Sequence, residues 1–316
     1  MPIVDILGVP HAYELTTPTP APYTLVFVHG WLLSRQYWQP LIEALSPDYQ
    51  CLAYDLRGFG DSVLPGDINQ QPILERAATS AQLSTTGNTQ LVQPGAEHGV
   101  GPRDHYTPSA FARDLAHLLE SLNLSKVWLI GHSLGGSIAL WGADQLPETV
   151  QGVVCINAGG GIYLKEEFER FRTAGQKFLK FRPPWLAHLP LLDWIFCRAN
   201  VARPVNRCWG KQRIVDFVSA CGEAALGTLL DSTTEAEVHR LPQVIARLQQ
   251  PVYFIAGEQD SIMEPKYVRH LASFHPIFQS GEDNVIEVPN CGHLAMIEQP
   301  QAIAAHIRRI LATHAT

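Results

Sequence analysis

The chain has 316 residues, of which 46% are hydrophobic and only 17% are charged, so it can build a large core and is neither disordered nor fibrous. The 23 Lys and Arg residues against 30 Asp and Glu residues give a formal net charge of −7, which argues against a general nucleic-acid-binding protein. The six cysteines include no CxxC pair, which favours reduced thiols and a cytoplasmic location.

Short apolar runs alternate with helical patterns along most of the chain. The predicted strands are Leu25–Val28, Cys51–Tyr54, Val127–Ile130, Val153–Ile156, Val252–Ala256 and Val285–Val288. The predicted helices are Tyr37–Leu45, Ser109–Leu122, Ser137–Leu146 and Gln301–Ala312. This alternation indicates an α/β protein with a mostly parallel sheet flanked by helices.

Two segments interrupt this alternation. Residues 65–105 contain no Phe, Trp or Tyr and are rich in Gln, Gly, Pro, Ser and Thr, which predicts a flexible insertion. Residues 161–241 hold ten of the 28 aromatic residues. Within this segment, residues 161–210 carry nine Lys or Arg against four Asp or Glu, a local charge of +5 in an acidic chain.

A G-x-S-x-G motif spans Gly131 to Gly135, between a predicted strand and a predicted helix. Such a motif forms a sharp turn that lifts its serine above the edge of the sheet. The N-terminus of the following helix favours developing negative charge. We therefore predict that Ser133 is a nucleophile.

A nucleophilic serine needs a base that is held by an acid. His293 follows the last predicted strand, and Asp260 follows the strand Val252–Ala256. Both lie at carboxyl ends of parallel strands, the same sheet edge as Ser133, and the chain order Ser, Asp, His also agrees. We predict His293 as the base and Asp260 as the acid, with Glu258 as the local alternative to Asp260.

Two backbone N–H groups are candidates for an oxyanion hole. His29-Gly30 follows the first predicted strand, so the N–H of Trp31 could point toward a substrate oxygen. Leu134, directly after the nucleophile, would supply the second donor. We interpret His29 and His132 as structural residues.

Together with Asp55–Ser62, these motifs resemble the α/β-hydrolase superfamily. The resemblance implies a core of residues 1–160 and 242–316, an α-helical cap of residues 161–241, and no metal or organic cofactor. The insertion 65–105 departs from shorter relatives, which join the same elements in about ten residues.

The predicted cap bears on the substrate. Phe168 and Phe171 share one helical face, and Trp185 and Trp194 follow, so we expect these four aromatic residues to contact a large apolar substrate. The same segment is basic and amphipathic, which is typical also of contact with an anionic membrane. The residues around Trp31 and the aromatic cap also resemble chlorophyll-dephytylating hydrolases, which cleave a long isoprenoid ester. This resemblance is weaker than the one to the superfamily as a whole.

The leading hypothesis is a serine hydrolase that cleaves a carboxylic ester with a sizeable apolar group through an acyl-enzyme. Its expected partner is this small-molecule ester, at a cytoplasmic site or peripheral to a membrane. A carbon–carbon bond hydrolase or a menaquinone-pathway-like lyase is the enzymatic alternative. A non-catalytic ligand-binding protein with the same fold is the alternative of another class.

Overall fold

The computed structural model describes residues 1–63, 106–159 and 165–314. The predicted insertion 65–105 lies outside these residues. Eight strands are described: β1 (Ile3–Ile6), β2 (Val9–Leu15), β3 (Thr24–Val28), β4 (Gln50–Tyr54), β5 (Val127–His132), β6 (Val150–Ile156), β7 (Val252–Gly257) and β8 (Val285–Val288).

Twelve α-helices lie in the described residues. They are α1 (Gln39–Leu45), α2 (Pro108–Ser121), α3 (Leu134–Gln145), α4 (Lys165–Leu179), α5 (Leu192–Phe196), α6 (Arg207–Ser219), α7 (Gly222–Ser232), α8 (Glu235–Arg247), α9 (Pro265–Ala272), α10 (Pro276–Gln279), α11 (Ala295–Glu298) and α12 (Pro300–Thr313). Two 3₁₀-helices cover Arg35–Trp38 and Pro184–His188. None of the described helices is long and apolar enough to cross a bilayer.

The strands form one sheet in the order β1-β2-β4-β3-β5-β6-β7-β8. β2 runs antiparallel to both β1 and β4, whereas the pairings among β3 to β8 are all parallel. The chain leaves β3 for β4 on one side and returns to β5 on the other side. The carboxyl ends of β3 and β5 therefore lie together, with Val28 opposite Gly131, at the kind of switch point where α/β proteins bind ligands.

The central strands are buried on both faces, which explains their continuous apolar runs. In β3, Leu25 and Phe27 pack into one core cluster with Trp38, while Val26 and Val28 pack into a second cluster on the other face. All four of these β3 side chains are fully buried. The helices thus cover both faces of the sheet, as the sequence predicts.

All six predicted strands are confirmed, most with one to three extra residues. The predicted helix Ser109–Leu122 is α2, and its N-cap Thr107 accepts a hydrogen bond from the N–H of Ala110 at 3.2 Å. The β1–β2 hairpin was not predicted, because its half-exposed residues form no continuous apolar run.

Five of the described α-helices, α4 to α8, lie between β6 and β7, and we refer to residues 165–247, which contain them, as the helical segment. The sequence places a cap in this part of the chain. The last of these helices, α8, packs against α3 beside the sheet, and the predicted domain boundary between residues 241 and 242 falls inside α8.

Candidate active site

Ser133 lies in a sharp turn between β5 and α3. Its backbone has φ 53° and ψ −120°, a conformation that a residue with a side chain adopts only under strain. A Cβ on Gly131 would lie 2.2 Å from the carbonyl oxygen of Gly135, and a Cβ on Gly135 would lie 2.1 Å from that of Val28. The two glycines therefore let β5, α3 and β3 approach closely enough to form the turn.

His293 and Asp260 form a hydrogen-bonded pair at the same edge of the sheet. The ring Nδ1 of His293 donates to Asp260 Oδ2 at 2.8 Å. Asp260 is buried, and its Oδ1 accepts hydrogen bonds from the N–H groups of Ile262 and Met263 at 2.8 and 2.9 Å. This pairing places the proton of a neutral imidazole on Nδ1, so the Nε2 atom of His293 is left as an acceptor.

Ser133 and His293 line the same cavity. Among the described residues, no hydrogen bond joins the Ser133 hydroxyl to the His293 ring. Hydrogen bonds between a nucleophile and its base are commonly long until substrate binds. The structure thus brings the predicted nucleophile and base to one cavity, with the acid hydrogen-bonded to the base.

Asn157 holds the loop that carries His293, and the sequence analysis missed it. This buried residue follows β6 in a left-handed conformation, with φ 48°. Its Nδ2 donates to the carbonyl oxygens of Gly292 and His293, both at 2.7 Å, and its Oδ1 accepts from the N–H of Gly257 at 2.8 Å. Its position directly after a predicted strand was the available signal, since it shares the sheet edge of the other site residues.

Glu298 holds the same loop from the other side and was also missed. Its carboxylate accepts hydrogen bonds from the N–H of Gly292 at 3.0 Å and from that of Ala202 at 2.8 Å. The N–H of His293 donates to the carbonyl oxygen of Asn200 at 2.9 Å. The loop that carries His293 is therefore tied to residues 200–202 of the chain between α5 and α6.

The two predicted oxyanion donors, the N–H groups of Trp31 and Leu134, belong to residues that line the cavity. Neither N–H donates a hydrogen bond to a described residue. The loop before Trp31 is fixed by buried His29, whose Nδ1 donates to the carbonyl oxygen of Gly30 at 2.8 Å and whose Nε2 accepts from the N–H of Leu56 at 2.9 Å. Both ring nitrogens of His29 therefore form hydrogen bonds that hold the loop.

His132 is fully buried beside the candidate base. Its Nε2 donates to the carbonyl oxygen of His293 at 2.8 Å. Burial, together with the neighbouring His293, holds the pKa of His132 well below its ordinary value. The ring therefore stays neutral and supports the His293 loop by a hydrogen bond rather than by charge.

A buried ion pair fixes the loop that follows Trp31. The Asp55 carboxylate binds the Arg35 guanidinium and also accepts hydrogen bonds from the backbone N–H groups of Arg35 at 2.7 Å and Asp61 at 2.8 Å. Arg35 also pairs with the Asp61 carboxylate at 2.8 Å. The Asp55–Ser62 motif thus positions the loop beside the site and does not line the cavity.

The cavity has a volume of about 510 Å³ and mostly apolar walls. Among the predicted substrate contacts, Phe171 lines it, and its ring centroid lies 6.5 Å from that of Trp31. Trp185 and Trp194 do not line it and are 51% and 47% exposed. The side chain of Phe168 lies outside the described part of the chain.

One cation, Arg213 of α6, lies among the described residues that line the cavity, and no Asp or Glu lies among them. Its Nη1 donates to the carbonyl oxygens of Phe196 and Ala199 at 2.7 and 2.6 Å. Burial lowers the pKa of Arg213, but the pKa of an arginine is high enough that the side chain stays protonated near neutral pH. The described residues of the cavity wall therefore carry one fixed positive charge.

A buried carboxyl group links α6 to the loop after β3. Asp216 accepts hydrogen bonds from Ser34 Oγ at 3.1 Å and from Gln212 Nε2 at 2.9 Å. Burial is the main cause that raises the pKa of Asp216 from 3.8 to about 7. Ionised Asp216 is therefore unfavourable in the folded protein near neutral pH.

We expect Asp216→Asn to stabilise the protein at pH 8.5 and to change its stability much less at pH 5. Between the unfolded pKa near 3.8 and the folded pKa near 7, the folded state binds the extra proton, so stability falls as pH rises. The gain at high pH is at most about 4 kcal/mol. Urea unfolding of both proteins at the two pH values measures it, and an equal difference at both would contradict the assignment.

The described residues contain no group of three or more His, Cys, Asp or Glu side chains that could hold a metal ion.

A family model described as "Alpha/beta hydrolase family" matches residues 25–306. This match spans all the predicted site residues and both sides of the helical segment.

Known proteins similar to the chain include synthases and hydrolases. A 2-succinyl-6-hydroxy-2,4-cyclohexadiene-1-carboxylate synthase of Enterobacter sp. is 27% identical over 288 residues, covering 91% of each chain. An uncharacterized hydrolase, YugF, of Bacillus subtilis is 24% identical over 294 residues, covering 91% of this chain and 89% of its own. A solved esterase structure from Thermogutta terrifontis has a TM-score of 0.69 at 22% identity, covering 99% of this chain and 97% of that chain. This structural likeness concerns the fold alone.

Proposed function

The chain belongs to the alpha/beta hydrolase family, and we propose that it is a serine hydrolase that cleaves a carboxylic ester with a sizeable apolar group. The observation that carries this proposal is the meeting of three features at one cavity. Ser133 sits there in its strained turn, His293 is paired to Asp260, and the walls are mostly apolar.

In the proposed mechanism, Ser133 Oγ attacks the ester carbonyl while Nε2 of His293 takes the hydroxyl proton. Asp260 keeps His293 oriented and stabilises the imidazolium that forms. The N–H groups of Trp31 and Leu134 donate to the oxyanion, which also lies at the N-terminus of α3. His293 then protonates the leaving alcohol, and a water molecule that His293 activates releases the acid from Ser133.

The cavity supports an apolar substrate. Side chains from two parts of the chain build its walls: Trp31 and Leu32 follow β3, while Phe171, Phe178 and Phe217 belong to the helical segment. We propose that the helical segment acts as a cap that covers the acyl or alcohol part of the ester. Removing apolar surface from water contributes about 25 cal/mol per Å², so such a cavity favours substrates larger than an acetyl ester.

A series of p-nitrophenyl esters from acetate to laurate tests the proposal. We expect hydrolysis of these esters, with kcat/KM rising from acetate to a medium or long acyl chain. A flat response would argue against the apolar cavity as the acyl-binding site. Lack of turnover of every ester would favour the alternative functions.

The second candidate is a carbon–carbon bond hydrolase or a lyase like the menaquinone-pathway synthase. The names of the similar synthases favour it, and the product in those names carries a carboxylate. Arg213 in the cavity is suited to bind such a group, because a guanidinium donates paired hydrogen bonds to a carboxylate. The same Ser133 and His293 would serve either reaction.

Arg213→Met is expected to separate these substrate classes. For p-nitrophenyl hemisuccinate, whose acyl chain ends in a carboxylate, we expect KM to rise roughly tenfold, the effect of losing one charge-assisted hydrogen bond. For p-nitrophenyl butyrate, which has a similar chain and no charge, we expect KM to stay within about threefold.

Arg213→Lys is the matched control, because it keeps the charge and loses the planar fork. With the hemisuccinate, its KM should rise less than that of Arg213→Met. Melting curves of both variants report whether the bonds from Arg213 to Phe196 and Ala199 are needed for folding. An equal rise in KM for both esters with an unchanged melting temperature would rule out an anion-binding role for Arg213.

A further inference from the structure

Exposed apolar side chains are concentrated in one short stretch of the helical segment. Of the twelve large hydrophobic side chains that are exposed in the described part of the chain, seven lie between residues 178 and 195. We call these seven the apolar patch: Phe178, Phe181, Trp185, Leu189, Leu191, Trp194 and Ile195. Such a concentration marks an interaction surface, because isolated apolar residues are normal on a protein surface and a cluster is not.

The apolar side chain of Leu191 is not explained by a role in folding. It is 65% exposed and has φ 66°, a left-handed conformation that glycine or asparagine adopts at lower cost. An exposed leucine in this conformation contributes little to the core and adds backbone strain. Its apolar side chain is therefore better explained by a contact outside the folded chain.

The residues around the patch are basic. Lys177, Lys180 and Arg198 are exposed, and the Arg198 guanidinium lies 3.9 Å from the centre of the Trp194 ring. Asp193 is the single acidic residue between positions 177 and 198, and Arg207 pairs with it at 2.8 Å. No salt bridge within the described residues involves Lys177, Lys180 or Arg198. The surface thus combines exposed aromatic rings with positive charge, the combination that binds the interface of an anionic bilayer.

The patch also adjoins the cavity. Phe178 and Ile195 belong to the patch and line the cavity wall, although 47% and 55% of their respective surfaces are exposed. Phe178 also stacks on Phe217, another cavity residue, with ring centroids 4.2 Å apart. The patch and the cavity therefore share two residues, and an apolar molecule at these two residues would lie next to the cavity.

We propose that the apolar patch docks on the surface of an anionic lipid membrane. The aromatic and aliphatic side chains enter the headgroup boundary while Lys177, Lys180 and Arg198 contact the anionic headgroups. Docking of the patch on a membrane does not depend on the proposed ester hydrolysis. Delivery of an ester from the bilayer to the cavity is a consequence that rests on the proposed function.

Vesicle co-sedimentation with the full chain tests the docking. We expect binding to phosphatidylcholine vesicles that contain phosphatidylglycerol, weaker binding to pure phosphatidylcholine, and release at high salt because ions screen the attraction. Trp185 and Trp194 are exposed, so binding should shift tryptophan emission to the blue and allow quenching by brominated lipid.

Two double variants separate the charge from the apolar contact. Lys177→Glu plus Lys180→Glu is expected to weaken binding to anionic vesicles about 30-fold or more, at about 1 kcal/mol per lysine. Leu189→Ser plus Leu191→Asn should weaken binding to both kinds of vesicle. Arg113→Glu plus Lys126→Glu is the matched control, since these exposed residues lie on α2 and before β5 and carry the same charges.

Equal binding to anionic vesicles by the two charge-reversal variants, Lys177/Lys180 and Arg113/Lys126, would overturn the proposal. Lack of wild-type binding to either kind of vesicle would also overturn it. Concentration-dependent self-association that is lost in the Leu189/Leu191 variant would overturn it too, by assigning the patch to a second copy of the chain. Turnover of p-nitrophenyl butyrate in the same samples keeps the two proposals distinguishable. Activity without vesicle binding would leave the proposed function standing and reject only the docking.

Discussion

Ser133→Ala is expected to lower kcat/KM for the best p-nitrophenyl ester by about 10⁴-fold to 10⁶-fold. The variant removes the only atom that forms the covalent bond in the proposed mechanism. The remaining N–H donors of Trp31 and Leu134 can still polarise the carbonyl, so a small residual rate is expected. Initial rates measured with high enzyme concentrations give the size of the loss.

Ser137→Ala is the matched control for this loss. Ser137 also lines the cavity and lies four residues further along, on α3. It should retain most of the activity, since a change to alanine in α3 alters neither the turn nor His293. If Ser133→Ala kept more than about a tenth of the activity, a different group would have to be the nucleophile.

His293→Ala should cost about as much as Ser133→Ala, and Asp260→Asn should cost about 10²-fold to 10⁴-fold. Alanine removes the base, whereas asparagine leaves the base in place with its Nδ1 proton no longer facing a carboxylate. The three residues act as a unit, so Ser133→Ala combined with His293→Ala should lose little more than either change alone. Steady-state rates of the single and double variants provide the comparison.

Glu258→Gln is the control for the acid. Glu258 lies two residues before Asp260, is exposed, and accepts a hydrogen bond from the N–H of Asn290 at 3.1 Å. We expect this variant to remain active. Full activity of Asp260→Asn together with loss in Glu258→Gln would show that Glu258 is the acid.

The core of the fold could be predicted because its strands are buried on both faces. The runs Leu25–Val28 and Val127–Ile130 are apolar at every position, a pattern that exposed strands lack. The β1–β2 hairpin lies at the edge of the sheet, with Ile3 57% exposed, and carries no such run. Helix bounds shifted by up to three residues, as when α3 begins at Leu134 rather than Ser137, because the turn after β5 leads directly into the helix.

The positions of Ser133, Asp260 and His293 could be predicted because parallel strands bring their carboxyl ends to one edge. Asn157 and Glu298 could not be assigned in the same way, since they act through hydrogen bonds to backbone groups in a loop that is distant in sequence.

The helical segment was the least predictable part of the site. Phe171 lines the cavity, whereas Trp185 and Trp194 do not. Helical periodicity places the aromatic residues on one face but does not determine which neighbouring element covers that face. The break at Pro183-Pro184 separates Trp185 from α4, so the periodicity of α4 carries no information about Trp185.

Intact-protein mass spectrometry after incubation with a fluorophosphonate tests the central claim most directly. We predict one adduct per chain in the wild type and in Ser137→Ala, assigned to Ser133 by peptide mapping, and no adduct in Ser133→Ala. Labelling at Ser133 should also slow strongly in His293→Ala, because the base that activates the hydroxyl is gone. An unlabelled wild type, or an adduct that persists at another residue in Ser133→Ala, would contradict the assignment of Ser133 as the nucleophile.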